Sequence, residues 1–465
     1  MTLRDIVSAL HPDILGEKYR EFNGIGTDTR ADLRGKLFIA LKGPTYDAHN
    51  FLAEAVKAGA TGLLVHDRAK GDRFSKDVTV FSVGNTLKAL QDLGHYWRRQ
   101  QKAKILSVTG SNGKTTTKEF AAAVIGAHKN TYFNKGSFNN HWGVPLSLLN
   151  IKTEHEVAVI EMGMNHLGEI TTLCEIAEPD VVLVTNVGRV HLEGLGSIEN
   201  VAKAKEEIYQ INNKNVLRIF NLDNPFTEKM YQKYKNTKCI TFSGKNRDAH
   251  IFLEVAGESV DSIEVKGSIG GVLGNAKVEI FGSHNVYNLM GAAALALSLR
   301  IEPLKIWGSL NLCKTPWGRN QKVKLKSGAE LLFDGYNANP ESMAAMIENS
   351  KFVKVSGKRI AIIGEMRETG EARDTLHTEI GEKAACGNFD LIWFVGLPSE
   401  AFERGLKSKG FKKEFLVSPQ FDVEVAEKIK NQLQPTDHIW VKGSRGVALE
   451  RAVVALDPIS FSAKY

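Results

Sequence analysis

The chain has 465 residues, 43% hydrophobic and 24% charged, which is too long for one ordinary core and apolar enough for two to four domains. Its 60 basic and 53 acidic side chains leave a formal charge of +7 spread along the sequence, so no basic tail marks a nucleic-acid binder and small anions remain as partners. No apolar run is long enough to span a bilayer, "MTLRDIVSALHPDILGEKYREF" has no signal-peptide apolar core, and Cys174, Cys239, Cys313 and Cys386 lie far apart without zinc spacing; a cytoplasmic protein with reduced thiols and no membrane insertion is expected.

The first hundred residues alternate short apolar runs with turns. "KLFIAL", "ATGLLV" and "VTVFSV" read as strands, and "NFLAEAVKAGA" has helical spacing that closes at a glycine. A helix over "TLKALQDLGHYWRRQQ" then leads into "ILSVT", a helix from Lys114, "VAVIEMG", a helix from Leu167, and "DVVLVTNVG". Strands that are apolar on both faces and separated by helices predict a parallel sheet covered on both sides. After Gly244 come alternating strands ("AHIFLEV", "SIEVKGS", "AKVEIF") and an Ala-rich helix from Asn285 to Arg300. Pro and Gly interrupt at "CKTPWGRNQ", and "ELLFDGYN", "KRIAIIGEM", "DLIWFVG" and "HIWVKGS" form a last α/β set. Three α/β domains follow, at 1–100, 101–314 and 315–465.

The strand-loop-helix at "TGSNGKTT" has the parts of a polyphosphate cradle. Gly110 and Gly113 let backbone N–H groups turn inward, the helix start attracts anions, Lys114 reaches the β and γ phosphates, and the Thr115 hydroxyl suits Mg²⁺. The usual loop would carry its first glycine at Val108, two residues earlier than Gly110. Beside such a site, Asn139 and Asn140 of "FNKGSFNNHWGVPLSLL" become donors to phosphate or substrate oxygens. Glu161 ends a buried strand, where a carboxylate needs either Mg²⁺ or a Lys or Arg partner. His191 follows the next strand, while Lys203 and Lys205 on an amphipathic helix read, as isolated residues, as a solvated face. In the last third, Asp334 stands at a strand end before an Asn-rich turn, and Lys442, Ser444 and Arg445 would make a cationic patch suited to a carboxylate.

Taken together, these segments resemble the Mur ligase family of ATP-dependent amide-forming enzymes, whose shortened loop T-G-[ST]-N-G-K-T matches Thr109 to Thr115. The resemblance runs the length of the chain, through "TDTR" and "YDAHNF", "NN..GVPL" and "EMG....GEI", and "YNANPESM", "GEM.E.GE" and "VKGSRG". "YNANP" with "KGSR" points to the branch that adds D-alanyl-D-alanine. Phe333, where the family often carries an acidic residue, Ala48 in "DAH" and the spelling "PWGR" depart from the pattern.

The resemblance implies a small N-terminal uridine-nucleotide domain, a central P-loop-type parallel-sheet ATPase domain with an added β segment, and a C-terminal Rossmann-like domain that takes the dipeptide. It implies ATP phosphates on Thr109, Gly110, Ser111, Asn112, Gly113, Lys114 and Thr115, adenine near Asn285 and Asn288, and the ribose and γ-phosphate side near Arg319 and Asp334. Mg²⁺ would lie near Thr115 and Glu161, and a second ion near His191, helped by a carbamylated Lys205; an ammonium repels a cation, whereas CO₂ addition makes it an anionic oxygen ligand. Thr27, Asp28, Thr29 and Arg30, with Asn139 and Asn140, would face the UDP substrate, and Tyr336, Asn337, Asn339, Lys442, Ser444 and Arg445 the dipeptide. The implied reaction is acyl-phosphate activation of UDP-N-acetylmuramoyl-tripeptide followed by attack of D-alanyl-D-alanine, in a monomer whose domains close. A related ligase adding one amino acid or glutamate, and a nucleotide-binding protein without turnover, remain the alternatives.

Overall fold

The structure, a computed structural model, describes residues 1–463 except 137, 214 and 260. Three sheets follow one another along the chain. The first contains β1 (Asp13–Gly16), β2 (Ile25–Gly26), β3 (Leu37–Ile39), β4 (Gly62–Val65) and β5 (Thr79–Ser82) in the order β1-β5-β4-β3-β2, parallel except for β1. A helix not anticipated from sequence, Leu3–Leu10, packs on it; Thr2 and Asp5 cap its start reciprocally.

The helix Thr86–Gln100 joins this unit to the central one. Asn85 caps its first turn. Near its end, the Arg98 guanidinium donates to the carbonyls of Ala177 and Glu178 and reaches the Asp180 carboxylate at 3.1 Å, which fixes the helix to the central layer.

The central sheet contains β6 (Lys104–Thr109), β7 (Thr131–Phe133), β8 (Val157–Glu161), β9 (Val181–Val184), β10 (Leu217–Asn221), β11 (Cys239–Ser243), β12 (Ile251–Glu258), β13 (Ile263–Ile269) and β14 (Val272–Val278). Its order is β14-β13-β12-β11-β10-β9-β6-β8-β7, with an antiparallel β12–β14 extension on a parallel body. Alternate residues feed two cores: Leu106, Val108, Val159 and Leu183 on one face, Ile105, Ala158, Ile160 and Val184 on the other. Full burial of neighbours such as Val159 and Ile160 contributes about 2 kcal/mol each, and it requires helices on both faces. The Ala-rich helix Asn285–Ser298 lies against the helix Lys114–Gly126; an added Cβ on Gly291 would stand 3.0 Å from the Thr117 methyl. The strand order reverses at β6, with β8 on one side and β9 on the other, so the crevice beyond its C-terminal end is where such sheets take ligands.

The third sheet runs β15 (Gln321–Lys324), β16 (Glu330–Asp334), β20 (His438–Lys442), β17 (Arg359–Gly364), β18 (Leu391–Val395) and β19 (Glu414–Ser418), parallel except for β15. Phe333, the departure noted above, is a core residue packed edge-on against Trp317 and Phe461 at ring distances of 5.5 and 5.3 Å. The expected fold class, α/β with three successive sheet units and an added β segment in the middle, is the one observed.

Candidate functional site

Beyond β6 the chain turns on two glycines. Gly110 has φ +148° and an added Cβ would lie 1.9 Å from the Thr185 hydroxyl; Gly113 has φ +78° and its Cβ would lie 2.2 Å from Asn288 Oδ1. The short loop is braced by the segment after β9. Asn112 N–H donates to Asn186 Oδ1 (2.9 Å), the Thr185 hydroxyl donates to the Asn112 carbonyl (2.6 Å), and Gly188 N–H donates to Ser111 Oγ (2.8 Å). Lys114 folds back, its ammonium donating to the Gly110 carbonyl at 2.6 Å. Burial pulls its pKa down and the Glu161 carboxylate acts the other way.

Glu161 closes β8 beside this loop and is fully buried. Asn139 Nδ2 donates to its Oε1 at 2.8 Å, and its backbone N–H donates to Asn134 Oδ1 at 3.0 Å. Oε2 makes no hydrogen bond, although Lys118 Nζ stands 3.7 Å away. Of the two partners left open for this carboxylate, a lysine is therefore present, at a distance that leaves a lone pair free.

His191 has φ +53° and its Nδ1 pairs with Glu368 Oε2 of the C-terminal unit at 2.5 Å. Burial depresses its pKa, Lys205 and Lys114 add to that, and Glu368 opposes it. Lys205 corrects the solvated-face reading. Helix Ile198–Glu206 turns Lys203 outward but buries Lys205, whose Nζ has no hydrogen bond or ion pair among the described residues. Burial, and then the Lys114 charge, push its ammonium pKa well below the usual lysine value.

A cleft of about 370 Å³ opens beside the loop, between the central and C-terminal units. Asn112, Gly113, Asn288 and Asp334, which the resemblance assigns to ATP, line it together with Asn186, Asp223, His284 and Asn320, which no motif singled out. Asn285 does not reach it: its amide donates to the Phe281 carbonyl and its oxygen accepts from Asn288 Nδ2, both at 2.8 Å, so it orients Asn288 instead of meeting a base. Arg319 lies over the Tyr336 ring at 4.5 Å.

The proposed cationic patch is not open. Lys442 is buried and donates to Asp334 Oδ2 (2.5 Å) and the Asn337 carbonyl (3.0 Å); Ser444 Oγ accepts from Arg367 N–H; and Arg445 pairs with Glu450 and covers Trp317. Register explains the first of these, since Asp334 and Lys442 are direct neighbours at the ends of β16 and β20. Asn339, assigned to the dipeptide side, caps the helix Pro340–Phe352 and donates to Asn112 Oδ1 at 2.7 Å, which puts it against the glycine loop after β6. Arg189 adds two more ties between the units, to Glu341 (2.9 Å) and Glu379 (3.0 Å).

Thr27, Asp28, Thr29 and Arg30 follow β2 in the N-terminal unit, apart from the cleft lining. There the Arg30 fork holds the Asp28 carboxyl down at about 2. Asn140 Oδ1 accepts from the N–H of Gly143, the first residue of the helix Gly143–Leu149, at 2.9 Å. Trp142, Leu146 and Leu149 of that segment pack on the N-terminal core, so Asn139 and Asn140 sit where the first two units meet.

The profile of the Mur ligase middle domain matches residues 108–296, and that of the Mur ligase glutamate ligase domain matches residues 318–445. The chain is 34% identical to UDP-N-acetylmuramoyl-tripeptide--D-alanyl-D-alanine ligase of Escherichia coli (strain K12) over 98% of each chain. In structure it resembles MurF from Acinetobacter baumannii, with a TM-score of 0.87, 28% identity and 98% of both chains covered. It also resembles the MurF ligase from Thermotoga maritima in complex with ADP, with a TM-score of 0.76 and 25% identity over 95% of this chain and 97% of that one.

Proposed function

The chain belongs to the Mur ligase family, and from that premise we propose that it is the ATP-dependent ligase joining D-alanyl-D-alanine to UDP-N-acetylmuramoyl-tripeptide in peptidoglycan synthesis. Similarity to ligases of that name over nearly the whole chain supports the substrate pair, and an ADP complex of a similar enzyme supports ATP use. The observation that carries the reading is the braced loop Gly110–Thr115 facing a buried carboxylate, Glu161, with one oxygen unbonded. A ligase for a single amino acid or glutamate is not favoured by these relatives.

We assign 1–100 to the UDP-sugar, 101–314 to ATP and 315–465 to the incoming dipeptide. A carboxylate is a poor acceptor for an amine, so the γ-phosphoryl group first passes to the terminal carboxylate of the tripeptide. The dipeptide amine then attacks the acyl phosphate, giving an amide, ADP and phosphate. Lys114 leaves the Gly110 carbonyl to meet the transferred phosphoryl group, and the N–H groups at the start of the helix Lys114–Gly126 hold the β-phosphate, the Ser111 and Asn112 N–H groups being bonded to Asn186. Asn288 and the cleft wall hold the base, with Arg319 and Asp334 towards the ribose. The docked C-terminal unit keeps water from the acyl phosphate.

Mg²⁺ fits the residues present. Among the described residues no three His, Cys, Asp or Glu side chains form a ready cage, but the free oxygen of Glu161 with the Thr115 hydroxyl suits an ion that also takes phosphate oxygens. His191 and Lys205 would hold a second, Lys205 as its carbamate; its lowered pKa favours the free amine that CO₂ requires. Bound there, Mg²⁺ would neutralise charge developing on the phosphoryl oxygens. No helix among the described residues is long and apolar enough to cross a membrane. We place the protein in the cytoplasm, as a monomer.

The test is amine-dependent ADP release with UDP-muramoyl-tripeptide. Release with D-alanyl-D-alanine and not with free amino acids is expected. The reverse pattern sinks the substrate assignment, and no amine-dependent release with any amine sinks the assignment of turnover.

A further inference from the structure

Lys118 lies one turn beyond Lys114 on the same helix and is completely buried, although it belongs to neither the phosphate loop nor the cleft lining. A buried ammonium is costly unless it is bonded, and this one has a specific set of partners. It donates to the carbonyls of Asn134 (2.6 Å) and Gly136 (2.9 Å), and Glu161 Oε2 and Glu119 Oε1 stand 3.7 and 3.8 Å away. The two carbonyls belong to the turn that holds Glu161 in place. Asn134 accepts the Glu161 backbone N–H through its side chain, fixes the Phe138 carbonyl through its amide (2.9 Å), and so carries the chain to Asn139, whose amide takes Glu161 Oε1.

The arrangement is asymmetric in a way that bears on metal binding. Asn139 bonds one carboxylate oxygen, while the ammonium, turned onto the two carbonyls, stands too far from the other oxygen to hydrogen-bond it. We infer that Lys118 is a positioning residue for the metal ligand: it fastens the turn 134–136 so that Glu161 presents Oε2, unbonded, to Mg²⁺. The inference rests on the proposed role of Glu161, and its test separates the two.

The test titrates Mn²⁺ by electron paramagnetic resonance against the whole protein holding β,γ-imido-ATP, for the parent, Lys118→Met and Glu161→Gln. Partners outside the ligand set typically change metal affinity by about 10- to 100-fold, so Lys118→Met is expected to bind Mn²⁺ at least about tenfold more weakly while binding the metal-free nucleotide as the parent does. A role confined to packing would lower the melting temperature and leave the Mn²⁺ affinity of the folded protein unchanged; that result, with Glu161→Gln impaired, overturns the inference alone. Parental Mn²⁺ affinity in Glu161→Gln removes Glu161 as a ligand, and the inference falls with it. Should Lys118→Met not fold, Lys118→Gln, polar but one bond too short for both carbonyls, is read by the same two outcomes.

Discussion

The side-chain amide of Asn339 donates to the side-chain oxygen of Asn112 across 2.7 Å, joining the phosphate loop of the central sheet to the first turn of a helix in the C-terminal unit. The same asparagine caps that helix through Oδ1, so the position of the C-terminal unit is sensed at the loop itself. Asn339→Asp keeps a good cap and replaces the donor with a carboxylate facing an oxygen. Losing one such bond is worth about 1 kcal/mol, and repulsion adds to it. Steady-state kinetics should show kcat/KM for ATP about tenfold lower with a melting temperature close to the parent's; an unchanged kcat/KM would remove the link between loop and C-terminal unit.

Gly113 occupies a left-handed turn pressed against Asn288. Gly113→Ala must displace an oxygen that also accepts from the Thr117 hydroxyl, as well as hold alanine at φ +78°. A loss of about 1–3 kcal/mol in denaturant unfolding is expected, with ADP affinity weakened at least about tenfold by calorimetry.

Lys205 is buried with no partner among the described residues, so its removal separates function from stability. Lys205→Met should be as stable as the parent or more so, because an uncompensated amine leaves the interior. Its turnover should fall by at least about 100-fold, the scale of losing a group that holds charge in the transition state. The parent should lose activity in CO₂-free buffer and recover with bicarbonate; a Lys205→Met protein of parental activity would dispose of the carbamate.

His284 sits between the amides of Asn320 and Asn349, and burial pushes its pKa down to about 4. Above the unfolded value near 6.5 both states are neutral and it has no effect. As pH falls, the unfolded chain takes the proton first, so the fold loses stability between about pH 6.5 and 4, by at most about 3 kcal/mol. His284→Asn should flatten that limb of the stability profile; an equally steep limb would clear His284 as its cause.

The alternation of apolar strands with helices made the central sheet legible, because a parallel sheet buried on both faces leaves runs such as "VAVIEMG" with no polar side. The glycines and Lys114 of the phosphate loop were legible for the same local reason: strand, turn and helix start are contiguous. Short or edge elements such as β2, β7 and β19 were not read, since a few residues carry little periodicity. Without β10 as a strand, Asp223 just beyond its end had no place in the cleft. As isolated residues Lys205 and Lys442 gave no sign of burial, because a lysine on a helix face or strand end is ordinarily solvated; only the resemblance singled out Lys205, and the packing of other elements buries both. Lys118 was invisible for a different reason, since its partners are backbone carbonyls that no motif spells out.

In the proposed reaction the γ-phosphoryl group of ATP passes to the tripeptide carboxylate before D-alanyl-D-alanine attacks. Supplying UDP-muramoyl-tripeptide labelled with ¹⁸O in that carboxylate, with ATP, Mg²⁺ and the dipeptide, and weighing both products by mass spectrometry tests it most directly. UDP-muramoyl-pentapeptide together with inorganic phosphate carrying one ¹⁸O is expected. Phosphate free of the label, or a product lacking the dipeptide, would contradict it.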